Sequence, residues 1–225
     1  FYAVSSGFAE TIAKTNLVDV TGVLPNPIDT TLFSPDQAVS KSERCRIVTV
    51  GNIGKRKGSD ILFEALAKLP KEVDWELYHV GDSMHIDKYI GDAGATSLTD
   101  RITCLGTLSQ IELANVFSNS DLYVVSSRRE TANTSMLQAM SCGVPVVTTR
   151  CGGPETLLDD SVSVSVKNEC PQALSNGIEL AINNIQNYDR VKMRQFVEDR
   201  YSKSSVLGLV EQAYQRAIAH TQNGK

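Results

Sequence analysis

Short apolar runs recur along the chain, and segments whose apolar residues repeat every three or four positions separate many of them. The runs predict β-strands at 2–4, 20–24, 45–50, 75–80, 101–104, 122–125, 144–148 and 162–166. The repeats predict helices at 61–69, 111–117, 136–140 and 174–185, and a helical stretch at 188–220. This alternation predicts an α/β fold with a Rossmann-like parallel sheet and helices on both faces. Such a sheet binds ligands at the carboxyl ends of its strands, near the switch point where strand order reverses.

The stretch 25–35 is rich in proline and turn residues, and the polar segment 36–42 that follows is expected to be exposed. These features predict a domain boundary near residue 44. Three parts follow from it: 1–43 as the tail of a preceding domain and a linker, 44–187 as the sheet domain, and 188–225 as C-terminal helices. Because the chain starts at Phe1 and shows no signal-peptide pattern, we interpret it as a fragment of a longer protein.

The composition is that of a soluble globular protein, since 41% of the 225 residues are hydrophobic and 21% are charged. No apolar run approaches the roughly 20 residues that span a bilayer. The net charge of −4 argues against nonspecific nucleic-acid binding, so an anionic ligand requires a local group of cations. The five cysteines form no CxxC or zinc motif, which favours reduced thiols in a cytosolic protein. No metal site is expected, because metal-ligand spacing is lacking at His79, His85 and His220.

The stretch 126–154 carries the strongest indication of a ligand site. Its strand ends at Ser126, Glu130 follows, and a polar turn leads into the helix that Gly143 ends. A strand, a turn and a helix N-terminus form an anion site, because first-turn N–H groups lack intrahelical partners and the helix dipole favours negative charge. Three hydroxyls are expected to cap this helix and leave backbone amides for a phosphate, those of Thr131, Thr134 and Ser135.

Two polar side chains stand eight positions apart in this stretch, Glu130 and Gln138. On a helix they would lie roughly 12 Å apart along the axis, which is about the span from a hexose across a diphosphate to a ribose. A carboxylate and a carboxamide can bind hydroxyls at both ends of such a ligand. Alternatively, Glu130 only favours the helix start and Gln138 is a surface residue. Arg128 and Arg129 are either further cations of the site or exposed.

The turn after the strand at 45–50 combines glycines with cations. Gly51 and Gly54 let a backbone approach a ligand closely, with Asn52 between them. Three adjacent cations suit a diphosphate, Lys55, Arg56 and Lys57. The spacing fits neither a P-loop nor a GxGxxG motif, and the alternative is a solvated basic loop that caps a helix.

Two further turns are weaker candidates. Gly81 follows the strand at 75–80 and lets a ligand pass close to the strand end, although a plain strand-to-helix turn is the better explanation. Backbone groups around Leu105 are placed to read a nucleotide base, but nothing in the residue types requires it.

Taken in order, six segments resemble those of family-4 retaining glycosyltransferases with the GT-B fold: VGNIGKRKGSD, YHVGDS, ITCLGTLS, SDLYVVSSRRET, LQAMSCGVPVV and GGPE. The resemblance covers about residues 1 to 200, and LPNPIDTTLFSP resembles the linker between the two domains. It implies that 44–187 is the C-terminal, nucleotide-sugar-binding domain. It also implies that the N-terminal, acceptor-binding domain is almost wholly absent, and that the C-terminal helices cross back to it.

The resemblance assigns roles to individual positions. Lys57 matches the lysine that binds the donor diphosphate, and Glu130 matches the glutamate that contacts the transferred sugar. The amides around Thr134 and Ser135 match the helix start that holds phosphate. The implied donor is a UDP-, GDP- or ADP-sugar, with no cofactor and no metal. The implied acceptor is a glycan or a lipid-linked sugar, in polysaccharide or lipopolysaccharide assembly. The implied place is the cytoplasm, with peripheral contact to the inner face of the membrane through the missing domain.

The chain departs from the family pattern at two positions. Asn52 stands where the family usually has arginine, and Arg56 is a candidate substitute. Gln138 replaces the second glutamate, which holds the ribose diol, so weaker ribose binding is expected: a charged hydrogen bond is worth about 1.5–3 kcal/mol against about 1 for a neutral one. Two rival functions remain: a non-catalytic binding or scaffold subunit, favoured by both departures, and a nucleotide-sugar epimerase or hydrolase on the same architecture.

Overall fold

The computed structural model describes residues 1–35, 44–158 and 162–223. The segment predicted to be polar and exposed, 36–42, lies outside these residues, as does the side chain of His220. The strands are β1 (Tyr2–Ala3), β2 (Gly22–Val23), β3 (Cys45–Val50), β4 (Trp75–Val80), β5 (Ile102–Gly106), β6 (Leu122–Val125), β7 (Val146–Thr149) and β8 (Ser163–Val166). The helices are α1 (Ser6–Ala13), α2 (Ser59–Ala67), α3 (Ile86–Asp92), α4 (Gln110–Ser118), α5 (Thr134–Ser141), α6 (Pro171–Asn183), α7 (Arg190–Tyr201) and α8 (Lys203–Asn223).

Six parallel strands form the central sheet in the order β5-β4-β3-β6-β7-β8. The chain starts in the middle at β3, runs outward to β5, returns to β6 and runs outward again to β8. The switch point therefore lies between β3 and β6, as in dinucleotide-binding sheets. The predicted α/β fold with a Rossmann-like parallel sheet is confirmed.

Helices cover both faces of the sheet. The α2, α3 and α6 helices pack on one face, and α4, α5 and α7 pack on the other. The four residues of β6 are all buried and alternate between the two layers, since Leu122 and Val124 join the first while Tyr123 and Val125 join the second. Burial on both faces explains why this strand reads as an unbroken apolar run.

The helical stretch predicted at 188–220 is in fact two helices. Ser202 separates α7 from α8 in an extended conformation, with φ −60° and ψ 156°. The cause is a residue from the predicted linker: Ile28 is buried, donates its N–H to the Tyr201 carbonyl at 2.7 Å, and pairs with Ser202 in a parallel bridge. A helical backbone at Ser202 would leave that bridge unmade.

The first 24 residues form a small unit of their own, in which β1 and β2 pair in parallel and α1 connects them. Ser5 accepts a hydrogen bond from the Phe8 N–H at 3.2 Å, which caps α1, and donates one to the Thr131 carbonyl at 2.5 Å. A Cβ at Gly7 would lie 1.9 Å from the Gly152 carbonyl oxygen. This unit thus packs against the loops that follow β6 and β7, while the division into domains stays a prediction.

The other expected boundaries moved by one or two residues at several strands. The strand predicted at 101–104 is Ile102–Gly106, because Arg101 ends a short 3₁₀ helix, Thr96–Arg101. The strands β3, β4 and β6 have the predicted bounds, and α5 ends as expected before Gly143, whose φ is +78°. The sequence pattern did not predict α1 and α3.

A close backbone contact between the loop after β3 and the segment after β6 requires a glycine. Gly58 has φ +65°, and a Cβ there would lie 1.9 Å from the Ser126 carbonyl oxygen. By contrast, a Cβ at Gly54 in the same loop would have no neighbour within 4 Å.

We therefore expect Gly58→Ala to lower the free energy of unfolding by about 3 kcal/mol, because it combines left-handed strain with overpacking. The matched variant Gly54→Ala should change it by less than about 1 kcal/mol. Urea unfolding of both variants measures the difference. Equal stability of the two variants would contradict the packing described at the switch point.

Candidate functional site at the switch point

A buried carboxylate lies where the loop after β3 meets the segment after β6. The Lys57 Nζ is 2.6 Å from Glu130 Oε1, and the Ser127 hydroxyl donates to the same oxygen at 2.7 Å. The Arg56 Nη1 lies 3.7 Å from Glu130 Oε2. The Glu130 side chain is only 8% exposed, whereas that of Arg56 is 67% exposed. The fold thus brings together Lys57, Arg56 and Glu130, three of the charged residues singled out in the sequence.

Glu130 does not lie on the helix. Its N–H donates to the Cys151 carbonyl at 3.1 Å, and α5 begins only at Thr134. The helical span toward Gln138 is therefore four residues, or about 6 Å of rise, and the expected separation of 12 Å along one helix was wrong.

Asn133 caps α5. Its Oδ1 accepts from the Met136 N–H at 3.0 Å and from the Tyr123 hydroxyl at 3.3 Å. The expected caps, the hydroxyls of Thr131, Thr134 and Ser135, were wrong, because asparagine is the better cap and directly precedes the helix. Burial raises the pKa of Tyr123, so its hydroxyl keeps the proton that it donates.

The start of α5 leaves hydrogen-bond donors available. Among the residues that the structure describes, the backbone N–H groups of Thr134 and Ser135 donate to no protein acceptor. The Thr134 hydroxyl accepts from the Asn26 Nδ2 at 3.3 Å, which brings the predicted linker to this helix end. First-turn N–H groups of this kind suit an anion.

Gln138 lies one turn into α5 and is half-buried. Its Nε2 donates to the Oε1 of Gln110, the first residue of α4, at 3.1 Å. This hydrogen bond directs the amide nitrogen toward α4 and leaves the Gln138 Oε1 as an acceptor.

Arg128 is not a free cation of the site. Its guanidinium forms two hydrogen bonds of 2.7 Å with the Asp60 carboxylate and a third of 2.6 Å with the Lys55 carbonyl. These bonds to Arg128 also lower the pKa of Asp60 below its ordinary value. Arg129, in contrast, is exposed.

The glycines of the candidate turns differ in what requires them. Gly51 has φ +138° and lies against the Lys57 stem, while Gly81 has φ +129° and would place a Cβ 2.5 Å from the Gly51 carbonyl oxygen. The positive φ of both glycines, together with the backbone contact at Gly81, accounts for them without a ligand. Gly54 has open space, and its N–H donates to the Ser59 hydroxyl at 2.9 Å.

Two other predicted positions lie at the strand ends. The Asn52 Oδ1 accepts from the Asp82 N–H at 3.4 Å, and Leu105 is half-buried near the end of β5. The roles assigned to Asn52, Leu105 and the glycines in ligand binding stay predictions.

His79 is a buried polar group that the sequence did not single out for the site. It lies near the end of β4 and lines a cavity with Asn52, Lys57 and Ser59, and neither ring nitrogen has a hydrogen-bond partner. Burial lowers the pKa of His79, and this effect is larger than the raising effect of the neighbouring Asp82. Within the described ranges, no group of three or more histidine, cysteine or acidic side chains is arranged to hold a metal ion. The metal-free expectation stays a prediction.

The family model described as "Glycosyl transferases group 1" matches residues 32–197. The chain belongs to this family. One relative, a subunit of phosphatidylinositol N-acetylglucosaminyltransferase from Arabidopsis thaliana, is 28% identical to this chain over 198 residues, which are 87% of the chain and 44% of the relative. An N-acetyl-α-D-glucosaminyl L-malate synthase from Bacillus anthracis is 32% identical over 130 residues, which are 57% of the chain and 33% of the relative. The chain thus spans less than half the length of each of these two relatives.

A solved structure supports the fold of this chain. HepE from Anabaena, in complex with UDP-glucose, aligns with a TM-score of 0.82 and 20% identity over 96% of the chain and 63% of that structure. The expected Rossmann-like half of a GT-B fold is confirmed. Among the described residues of this family member, no helix combines the length and the apolar character that crossing a membrane requires.

The buried imidazole of His79 predicts a pH dependence of stability. Because its folded pKa is lowered, its neutral form contributes stability that is present above the unfolded pKa of about 6.5 and is lost as pH falls through the folded value. We expect the free energy of unfolding to fall between pH 7.5 and 5, and His79→Leu to remove part of that slope. Urea unfolding at several pH values tests this, with His85→Asn as the variant that removes an exposed imidazole. An unchanged slope in His79→Leu would contradict it.

Proposed function

We propose that this chain is the donor-binding half of a retaining glycosyltransferase, which moves a sugar from a nucleoside-diphosphate sugar to a glycan or lipid-linked acceptor. The observation that supports it most is the Lys57–Glu130 pair at the switch point, beside a helix start whose first N–H groups have no acceptor among the described residues. Ligands of open α/β sheets bind at such a point.

In this proposal the diphosphate lies between α5 and the loop of residues 51–58, which we call the basic loop. Lys57 and the exposed Arg56 supply positive charge, and the N–H groups of Thr134 and Ser135 supply fixed dipoles. When the bond to the sugar breaks, negative charge grows on the leaving diphosphate. Donors that already point at this charge lower the barrier without reorganisation.

The sugar lies beside Glu130. An ionised carboxylate accepts hydrogen bonds from hydroxyl groups and positions a sugar ring. The Lys57 ammonium and the Ser127 hydroxyl both contact Oε1 of Glu130, while Oε2 faces Arg56. The incoming donor draws Lys57 and Arg56 toward its phosphates and exposes the carboxylate to the sugar.

The ribose and base lie toward α4 and β5. The Gln138 Oε1 accepts from the ribose hydroxyls while Gln110 holds the amide nitrogen. Leu105, near the end of β5, contacts the base. Because a neutral acceptor replaces the family's carboxylate, nucleotide affinity is expected to be moderate.

The relatives suggest where to begin with ligands. The HepE structure contains UDP-glucose, and the names of the plant and Bacillus relatives both include an N-acetylglucosaminyl group. We therefore place a UDP-sugar first among the candidate donors. The other compounds in those two names, phosphatidylinositol and malate, have little in common. We propose that a part of the protein beyond the sheet domain chooses the acceptor, in the cytoplasm at the inner face of the membrane.

A second candidate function is a non-catalytic binding subunit. Asn52 and Gln138 favour it, since each replaces a charged residue of the family pattern. A subunit of this kind would bind no donor, or would bind one without turnover.

Lys57→Ala tests the diphosphate end. We expect the affinity for UDP, GDP or ADP, whichever binds the chain best, to fall about tenfold to a hundredfold, because a charged hydrogen bond of about 1.5–3 kcal/mol is lost. Isothermal titration calorimetry measures this affinity, with Lys68→Ala, at the far end of α2, as the control.

Glu130→Ala tests the sugar end. It should keep nucleotide affinity within a few fold and remove most transfer by the full-length enzyme. Wild-type affinity in Lys57→Ala, or wild-type turnover in Glu130→Ala, would refute the assignment.

Gln138→Glu tests the ribose end. We expect about tenfold tighter binding of the nucleoside diphosphate, because a carboxylate forms stronger hydrogen bonds with the ribose diol. The gain should vanish with the 2′,3′-dideoxy nucleotide, which lacks that diol. An equal gain with both nucleotides would place the ribose elsewhere.

A further inference from the structure

Three consecutive carbonyl groups of the basic loop accept hydrogen bonds from one short segment after β6. The Lys55 carbonyl accepts from the Arg128 guanidinium at 2.6 Å, and the Arg56 carbonyl from the Arg128 N–H at 2.9 Å. The Lys57 carbonyl accepts from the Ser126 hydroxyl at 2.8 Å. We call these three bonds the carbonyl clamp.

Arg128 is itself held from two sides. Its guanidinium forms a two-bond pair with Asp60 in the first turn of α2, with side chains 20% and 28% exposed. Its carbonyl accepts from the Asn168 Nδ2 at 2.9 Å, and Glu169 adds a longer contact of 3.6 Å to its Nε. The charge of Arg128 is thus paired within the protein. The pair depends on a planar guanidinium that forms two parallel hydrogen bonds, which a lysine ammonium cannot reproduce.

The clamp has an electrostatic consequence for an anion. A carbonyl oxygen carries partial negative charge and repels a diphosphate, whereas a lysine ammonium attracts it. Turning three carbonyls of one loop toward Ser126 and Arg128 keeps their negative ends away from the ligand side. The same bonds fix the backbone from which Lys57 reaches Glu130, 2.6 Å away.

We propose that Arg128 and Asp60 are positioning residues. They hold the basic loop in its anion-binding form and so act on the ligand through Lys57. This inference rests on the proposed function, because it assumes that Lys57 binds the donor diphosphate. In this proposal Asp60 and Arg128 bind no ligand, because their charges pair with each other.

An ion pair within the central sheet provides a matched control. Arg46 and Glu76, on the first halves of β3 and β4, pair at 2.9 Å with side chains 23% and 24% exposed. They resemble Arg128 and Asp60 in chemistry and burial, but they lie at the opposite ends of the strands from the basic loop. Their loss changes stability without touching the clamp.

The first measurement needs no ligand. Hydrogen–deuterium exchange of the whole chain should speed up in the segment 53–59 for Asp60→Asn and Arg128→Lys, and should be unchanged there for Arg46→Lys. Unchanged exchange in the first two variants, or equal acceleration in the third, would overturn the inference.

The second measurement is a double-mutant cycle on the affinity for UDP, GDP or ADP. Asp60→Asn and Arg128→Lys should each weaken binding about tenfold, as expected when a charged group is displaced from its ligand. In a Lys57→Ala background they should weaken it no further, because they act through that lysine. Equal losses in both backgrounds would overturn the inference and leave the proposed function standing. If the wild-type chain binds none of the three nucleotides, the proposed function fails and the inference fails with it.

Discussion

The close contact between the basic loop and the segment after β6 is the constraint on which the site depends. Gly58 permits it, because any side chain there would meet the Ser126 carbonyl oxygen. Hydrogen bonds from Ser126 and Arg128 then fix the loop. The two halves of the sheet meet at this point, so the same contact both joins them and arranges the charges that face a ligand.

The pair of Lys57 and Glu130 is hard to explain by stability alone. Removing a carboxylate from water costs several kcal/mol, and an ion pair returns that free energy only when its geometry is good. An apolar pair of similar size would fill the same space at lower cost. In the proposed function the two side chains are ligand-binding groups, which pair with each other until the donor's diphosphate binds Lys57 and its sugar binds Glu130.

The sequence pattern predicted the bounds of β3, β4 and β6. In β6 the cause is burial along the whole strand, which leaves an unbroken apolar run, whereas β3 and β4 include polar residues and are only partly buried. Contacts between distant residues were beyond such patterns: Ile28 decides where α7 ends, and Asp60 decides where the Arg128 guanidinium points. The Asn133 cap is different. The signal for it, an asparagine directly before the helix, was present in the sequence, but the neighbouring hydroxyls were predicted as caps instead.

Through its hydrogen bond to Asn133, the core residue Tyr123 also supports a helix cap. The tyrosine ring packs edge-on against Phe117 in the core, and its hydroxyl steadies the cap at the start of α5. Phenylalanine would fill nearly the same volume and satisfy every apolar neighbour, yet it would release the cap. Substitution at this position is therefore constrained by hydrogen bonding as well as by volume, and a redesign guided only by packing would preserve the fold while loosening the N-terminal end of α5.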